Sequence, residues 1–194
     1  MLIFILGNGP SLTTQREFMP RVGNYPTFCC NRMNQWDGLC FTPTYYACNH
    51  SIVEGGLEPK FPPYSKVKYI ISPLKTDMQG WTSRAKDGNV PLRLWCDTLR
   101  CGGTMPYIMA QIAVHLGYKR LFFLGIEQQG TGHCFDIDGK NNQYNVPRQD
   151  KLFPLWEMMK EYYEGNGIKL RDCTPNGRLN DILEYQPLEG VLNG

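Results

Sequence analysis

Short, continuous apolar runs recur along the chain, and each is bounded by Gly, Pro or Asn. Strands buried on both faces show such runs, whereas half-exposed strands alternate between apolar and polar residues. The pattern therefore predicts a mainly parallel α/β sheet. Its strands are expected at residues 2–6, 27–30, 44–48, 67–71, 92–95, 121–124 and 168–170.

Two segments carry apolar residues at the three- and four-residue spacing of a helix that buries one face. The first has them at positions 105, 108, 109, 112 and 116, with Thr104 as the expected N-cap and Gly117 as the end. The second has them at positions 152, 155, 156, 159 and 163 and ends at Gly165 and Gly167. Each predicted helix leads directly into a predicted strand.

Between these helix-strand units lies a polar, Gly- and Asn-rich stretch, residues 127–154, which shows no periodicity. Loops of this length in compact domains often cover a binding site, so the stretch is expected to be a lid-like insertion. We expect residues 1–194 to form a single nucleotide-binding α/β domain with this lid. The Gly- and Pro-containing tail, residues 186–194, is expected to fray.

Net charge and cysteine content limit the partners, the cellular location and the metal sites that the sequence predicts. The net charge is +2 and no run of Lys or Arg exceeds two residues, so neither nucleic acid nor an anionic membrane is an expected partner. The opening apolar run is too short for a signal peptide or a transmembrane segment, which favours a cytoplasmic protein. Because the eight cysteines include no Cys-x-x-Cys pair, we expect reduced, mostly buried thiols and no zinc site.

The first candidate for chemistry is the turn after the first strand, with Gly7, Asn8, Gly9 and Ser11. Glycines there let backbone N–H groups approach an anion, and a helix that starts next adds its dipole. No Lys follows as in a phosphate-binding P-loop, and a plain tight turn has the same composition. The turn alone therefore leaves both interpretations open.

Other small polar groups are expected at the same edge of the sheet. Asn31 and Asn49 end the second and third strands, where an amide can bind phosphate or sugar but is also a common turn residue. Gly102 and Gly103 precede Thr104 at a helix start, and Glu127 follows a buried strand. Ligands of open α/β sheets bind along this edge, so the sequence predicts a pocket for a phosphorylated or nucleotide ligand.

Several of these motifs resemble the bacterial sialyltransferases of glycosyltransferase family 42. They are Gly-Asn-Gly-Pro-Ser-Leu at residues 7–12, Cys-Asn at 30–31, Gly-Tyr-Lys at 117–119, Leu-Gly-Ile-Glu at 124–127 and Cys-Thr-Pro-Asn at 173–176. The resemblance implies a Rossmann-like sheet with helices on both faces. It also implies a glycosyltransferase that takes a CMP-activated sugar and a hydroxyl-bearing acceptor and needs no metal cofactor.

The Gly-Gly-Thr at 102–104 and the Asp-Cys-Thr at 172–174 are also similar to a sister group that includes a 6-hydroxymethylpterin diphosphokinase and motility accessory factors. This similarity implies an alternative, the Mg²⁺-dependent transfer of diphosphate from ATP to a hydroxymethyl group. Asp136 and Asp138 are the nearest paired acids for that metal.

The sialyltransferase resemblance also implies roles for single residues. Asn8, Gly9 and Asn31 are expected beside the CMP phosphate and the donor sugar, Thr104 at the nucleotide, and Glu127 as the acidic residue after Gly-Ile. The remaining expected donor-binding residues are Gly7, Ser11, Asn49, Gly102, Gly103 and Asn176.

The expected catalytic positions depart from the family. Its two lid tyrosines match Gln129 and His133, and its general-base histidine matches a segment that holds Arg148 and no histidine. Arg148 can bind phosphate but cannot act as a base at neutral pH. His133 can donate to the leaving phosphate or serve as the base, and both roles stay open. The missing base also allows a nucleotide-binding relative without turnover.

Overall fold

The computed structural model describes residues 1–49, 67–71, 82–83, 98–99, 104–128, 132, 134 and 152–194. Its main sheet contains β1 (Leu2–Leu6), β2 (Thr27–Cys30), β3 (Tyr45–Asn49), β4 (Val67–Ile71), β7 (Arg120–Leu124), β8 (Lys169–Asp172) and β9 (Glu184–Tyr185). The spatial order is β4-β3-β2-β1-β7-β8-β9, and all neighbouring strands are parallel. Two short strands, β5 (Thr82–Ser83) and β6 (Thr98–Leu99), pair with each other in parallel.

This architecture confirms the predicted α/β class. The strands expected at 2–6, 27–30 and 67–71 agree residue for residue, and those at 44–48, 121–124 and 168–170 differ only at their ends. The strand expected at 92–95 lies outside the described residues.

Helices cover both faces of the main sheet. They are α1 (Ser11–Thr14), α2 (Met19–Val22), α3 (Met105–His115), α4 (Phe153–Gly165) and α5 (Leu188–Asn193). The predictions for α3 and α4 are confirmed, and Gly117 and Gly167 after them have φ angles of +90° and +74°. Glycine adopts this left-handed conformation at little steric cost, which explains why these residues follow the helix ends.

Burial on both faces explains the continuous apolar runs. Ile3 and Ile5 of β1 pack in the core under α3 and α4, whereas Phe4 and Leu6 pack in the core under α1, α2 and α5. Trp156 of α4 is fully buried in the first of these cores. A strand with a core on each side has no solvent face, so apolar residues occupy successive positions.

The strand order reverses direction beside β1. The chain runs from β1 outward through β2, β3 and β4, and then returns to place β7 on the other side of β1. Parallel sheets bind ligands in the crevice outside the carboxyl ends of the two strands at such a reversal. A ligand-binding site is therefore expected at the residues that follow β1 and β7.

The carboxyl-terminal tail is ordered, so the expectation that residues 186–194 fray is wrong. Leu188, Val191 and Leu192 of α5 are buried in the core that α1 and α2 cover. An Arg21 Nη atom donates a hydrogen bond to Leu192 O at 2.8 Å. Apolar residues at helical spacing outweigh the tail's Gly and Pro content, because burying them stabilises the helix.

We expect Leu192→Ala to lower the free energy of unfolding by about 2 kcal/mol, because it removes apolar contacts and leaves a cavity. Gly190→Ala in the same helix is the matched control, since nothing lies within 4 Å of the added Cβ. The control is expected to be stabilising by about 0.5 kcal/mol. Urea unfolding of both variants measures the difference. Equal stabilities would show that α5 does not contribute to the core.

Most of the described cysteines are buried, as predicted. Cys29, Cys30, Cys134 and Cys173 are buried, and Cys40 is exposed. Burial raises the pKa of Cys29 and Cys173, which keeps these thiols protonated. None of the helices in the described ranges combines the length and apolar character needed to cross a lipid bilayer.

Candidate functional site

The turns that follow β1 and β7 lie against each other at the strand reversal. Gly7 N donates to Leu124 O and Gly9 N donates to Gly125 O, both at 2.8 Å. A Cβ on Gly7 would collide with Gly125 O and lie 2.9 Å from Ile126 Cγ1. The glycines of the predicted phosphate turn are thus needed for this close approach of two backbones.

Glu127 links the second turn to the first. One of its carboxylate oxygens, Oε1, accepts a hydrogen bond from Ser11 N at 2.6 Å, and a Cβ on Gly9 would overlap the other. The side chain is 91% buried, since its exposed fraction is 9%. The carboxylate that the sequence predicted at the nucleotide pocket therefore holds the first turn of α1, as a capping group does.

Several predicted ligand residues carry buried oxygens without a hydrogen-bond partner among the described residues. These atoms are Asn8 Oδ1, Ser11 Oγ and Thr104 Oγ1. A buried polar oxygen without a partner costs about 1–3 kcal/mol, so folded proteins keep few of them. These three atoms belong to residues that the sequence predicted for the donor site; Gln15 Oε1, Trp156 Nε1, Asp172 Oδ2 and Asn180 Oδ1 are the other buried polar atoms of this kind in the described ranges.

Thr104 occupies the N-cap position of α3, as predicted, but its hydroxyl makes no capping hydrogen bond. The helix contacts β1, β2, β3 and β7, and its carboxyl end leads into the start of β7. The amino end of α3 therefore lies toward the carboxyl edge of the parallel strands. The Thr104 hydroxyl, which has no partner within the described ranges, is at the same edge of the sheet as the Gly7–Ser11 turn.

The asparagines predicted at strand ends lie along this edge. Asn31 follows β2 with a φ angle of +52°, its N–H donates to Ala47 O at 2.8 Å, and its carbonyl accepts from the Tyr46 hydroxyl at 3.0 Å. Asparagine tolerates this left-handed conformation better than most residues. Asn49 ends β3, and Asn176 is exposed after β8 with a φ angle of +55°.

Sequence reasoning did not select Asp172, which is fully buried at the end of β8. Burial, together with the negative charge of Glu127, raises the pKa of Asp172 to about 7, against the opposing effect of hydrogen bonds from the Thr174 side chain and backbone. Its Oδ1 accepts from Thr174 N at 2.9 Å, and its Oδ2 has no partner among the described residues. A single buried carboxyl at a strand end leaves no repeating pattern in the sequence, so Asp172 could not be recognised there.

The predicted catalytic residues Gln129, His133 and Arg148, the acids Asp136 and Asp138, and the glycines Gly102 and Gly103 lie outside the described residues. Most of the predicted lid does so as well. Cys134, in the middle of that segment, is described, and its N–H donates to Asn8 O at 2.8 Å. Within the described ranges, no group of three His, Cys, Asp or Glu residues is arranged to hold a metal ion.

Comparison with known proteins identifies the fold. No protein-family model matches the chain, and no curated protein matches it in sequence. The sialyltransferase CstII from Campylobacter jejuni in complex with cytidine-5'-monophosphate matches in structure with a TM-score of 0.56 and 17% identity, over 96% of this chain and 85% of that one. The CstII complex with CMP-3FNeuAc gives 0.56 and 18%, over 95% and 86%.

An alpha-2,3-sialyltransferase from Campylobacter jejuni in apo form matches with a TM-score of 0.51 and 16% identity, over 95% of this chain and 79% of that one. These comparisons give no support to the similarity with the pterin diphosphokinase. At such identities the likeness concerns the fold. The chain has the Rossmann-like α/β fold of these sialyltransferases, across nearly its whole length.

Proposed function

We propose that this protein is a sialyltransferase-like glycosyltransferase that takes its sugar from a CMP-activated donor without a metal ion. The observation that carries the proposal is the set of buried oxygens of Asn8, Ser11 and Thr104, at the carboxyl edge of the sheet, which find no partner in the part of the chain that the structure describes. Two of them belong to the turn beside the strand reversal, where nucleotides bind in this type of sheet. The structural likeness to CMP-bound sialyltransferases supports the choice of nucleotide.

In the proposed reaction, the bond between the anomeric carbon and the CMP phosphate breaks, and its electron pair stays on the phosphate. A hydroxyl of the acceptor attacks the anomeric carbon and loses its proton. The N–H groups of Gly7, Gly9 and Ser11 already donate within the protein, so the side-chain amides of Asn8 and Asn31 are proposed to stabilise the phosphate charge. Asn49, Gly102, Gly103 and Asn176 are proposed to complete the donor site.

The lid is proposed to supply the proton transfers. His133 is the only histidine between Glu127 and Pro154, and it precedes Cys134, which bonds to the Asn8 turn. We assign to His133 either the protonation of the leaving phosphate or the removal of the acceptor proton. Arg148 and Gln129 are proposed to bind the phosphate. Closure of the lid would exclude water from the donor.

Binding of CMP in the presence of EDTA tests the proposal. A ligand at 100 times its Kd adds about 2.7 kcal/mol to the stability of the folded state, so we expect the Tm to rise by about 5–10 °C. Asn8→Ala should weaken CMP binding about tenfold, because it removes a hydrogen-bonding group. Asn24→Ala, on an exposed turn before β2, is the matched control and should bind as the wild type does.

Two outcomes would contradict the proposal. A Tm shift with ATP that depends on Mg²⁺, without a shift from CMP, would favour diphosphate transfer. Equal CMP affinity in the Asn8→Ala and Asn24→Ala variants would place the nucleotide elsewhere. A CMP-sugar donor assay in EDTA then separates a transferase from an inactive nucleotide-binding relative.

A further inference from the structure

Hydrogen bonds to the segment that follows β8 hold Glu127 and the turn around it. Thr174 Oγ1 accepts a hydrogen bond from Ile126 N at 3.2 Å, and Arg178 N donates to Glu127 O at 2.9 Å. The residues on either side of the Ile126–Glu127 peptide bond are thus each tied to the 174–178 segment. The direction of the Glu127 side chain depends on that backbone.

Asp172 holds the backbone of Thr174, the residue whose hydroxyl accepts from Ile126 N. The Oδ1 atom of the Asp172 carboxyl accepts a hydrogen bond from Thr174 N at 2.9 Å. Asp172 and Thr174 are both fully buried, so water does not compete for these bonds.

The same segment reaches α1. Gln15 Nε2, from a side chain that is 5% exposed, donates to Cys173 O at 2.7 Å. Ser11 is therefore positioned from two sides, by the Glu127 carboxylate at its N–H and by Gln15 one turn later. Glu127 and Gln15 are each bonded to the segment that follows β8, Glu127 through Arg178 N and Gln15 through Cys173 O.

We propose that Asp172 and Thr174 are positioning residues for nucleotide binding: they fix the Ile126–Glu127 turn, and Glu127 in turn holds Ser11 N in the turn that faces the phosphate. The inference rests on the proposed function and adds residues that do not touch the nucleotide. Loss of the Thr174 hydroxyl or the Asp172 carboxyl is expected to weaken CMP binding through Glu127.

The test compares paired variants by isothermal titration with CMP. Thr174→Val, which keeps the side-chain shape but removes the hydroxyl, and Asp172→Ala should each raise the Kd about tenfold. Thr174→Ser keeps the hydroxyl that accepts from Ile126 N, and Asp172→Asn keeps an oxygen that accepts from Thr174 N, so both should remain within about threefold of the wild type. Rescue by the conservative variants distinguishes positioning from a general loss of stability.

Amide hydrogen exchange at Ile126 supplies a readout that does not depend on CMP. Thr174→Val should speed this exchange at least tenfold, since the amide loses its acceptor, while exchange in the centre of β2 stays unchanged. If the wild type binds CMP and Thr174→Val binds equally well, the inference is overturned. If the wild type does not bind CMP, the proposed function fails. Unchanged exchange at Ile126 in Thr174→Val would show separately that Thr174 Oγ1 does not hold the Ile126 N–H.

Discussion

Gly7→Ala is expected to lower the free energy of unfolding by about 3 kcal/mol and to abolish CMP binding at ligand concentrations that saturate the wild type. The new Cβ would collide with Gly125 O, a backbone atom that is held as the acceptor of Gly9 N. The two turns must separate to make room, which breaks this bond and the one from Gly7 N to Leu124 O. A side chain could rotate away, but a backbone carbonyl in a paired turn cannot.

Gly165→Ala at the end of α4 is the matched control for this prediction. Nothing lies within 4 Å of its added Cβ, and its φ angle is not in the left-handed region, so its unfolding midpoint should stay equal or rise slightly. Urea unfolding followed by CMP titration measures both effects. A Gly7→Ala variant with the stability of the control would show that the two turns are not tightly packed.

The continuous apolar runs predicted the sheet, because a strand that is buried on both faces has apolar residues at successive positions. They could not predict β9, whose two residues, Glu184 and Tyr185, are both exposed and form no run. Helix α5 was missed for another reason. Pro187 and Gly190 in and beside it are typical of loops, and only the packing of its buried side chains against the sheet decides in favour of a helix.

The sequence predicted the Gly7–Ser11 turn and Glu127 as parts of one site, but not the hydrogen bond that joins them. The Gly7–Ser11 turn and Glu127 were expected at one edge because parallel strands end together. The hydrogen bond from Ser11 N to Glu127 spans 116 positions of the chain, and only the strand order β2-β1-β7 brings its partners together. Spacing along the sequence contains no signal for such a contact, so the capping role of Glu127 required the structure.

Buried polar residues were the least predictable part of the site. Gln15 and Asp172 look like surface residues in the sequence, since Gln and Asp are rarely fully buried. Their burial follows from tertiary contacts with backbone groups: Gln15 bonds to Cys173 O, and Asp172 accepts from Thr174 N. Likewise Thr104 was predicted as an N-cap, and the position is right while the capping bond is absent.

The pH dependence of stability is expected to be dominated by Asp172 between about pH 4 and pH 7. Its pKa is about 7 in the folded state against 3.8 for an unperturbed Asp, so in this range the folded protein holds a proton that the unfolded chain releases. Stability from this group is complete below pH 4, falls as the pH rises, and is lost above pH 7. The total change is up to about 4 kcal/mol, since each pKa unit corresponds to about 1.36 kcal/mol.

Asp172→Asn removes this titration while keeping an oxygen that accepts from Thr174 N. Relative to the wild type, the variant should therefore gain stability as the pH rises from 5 to 8, in urea unfolding experiments at constant ionic strength. Glu127→Gln should shift the wild-type transition to lower pH, because the charge of Glu127 contributes to the raised pKa of Asp172. Parallel pH profiles for the wild type and Asp172→Asn would mean that the buried carboxyl keeps an ordinary pKa, and that solvent or a counter-charge reaches it at the end of β8.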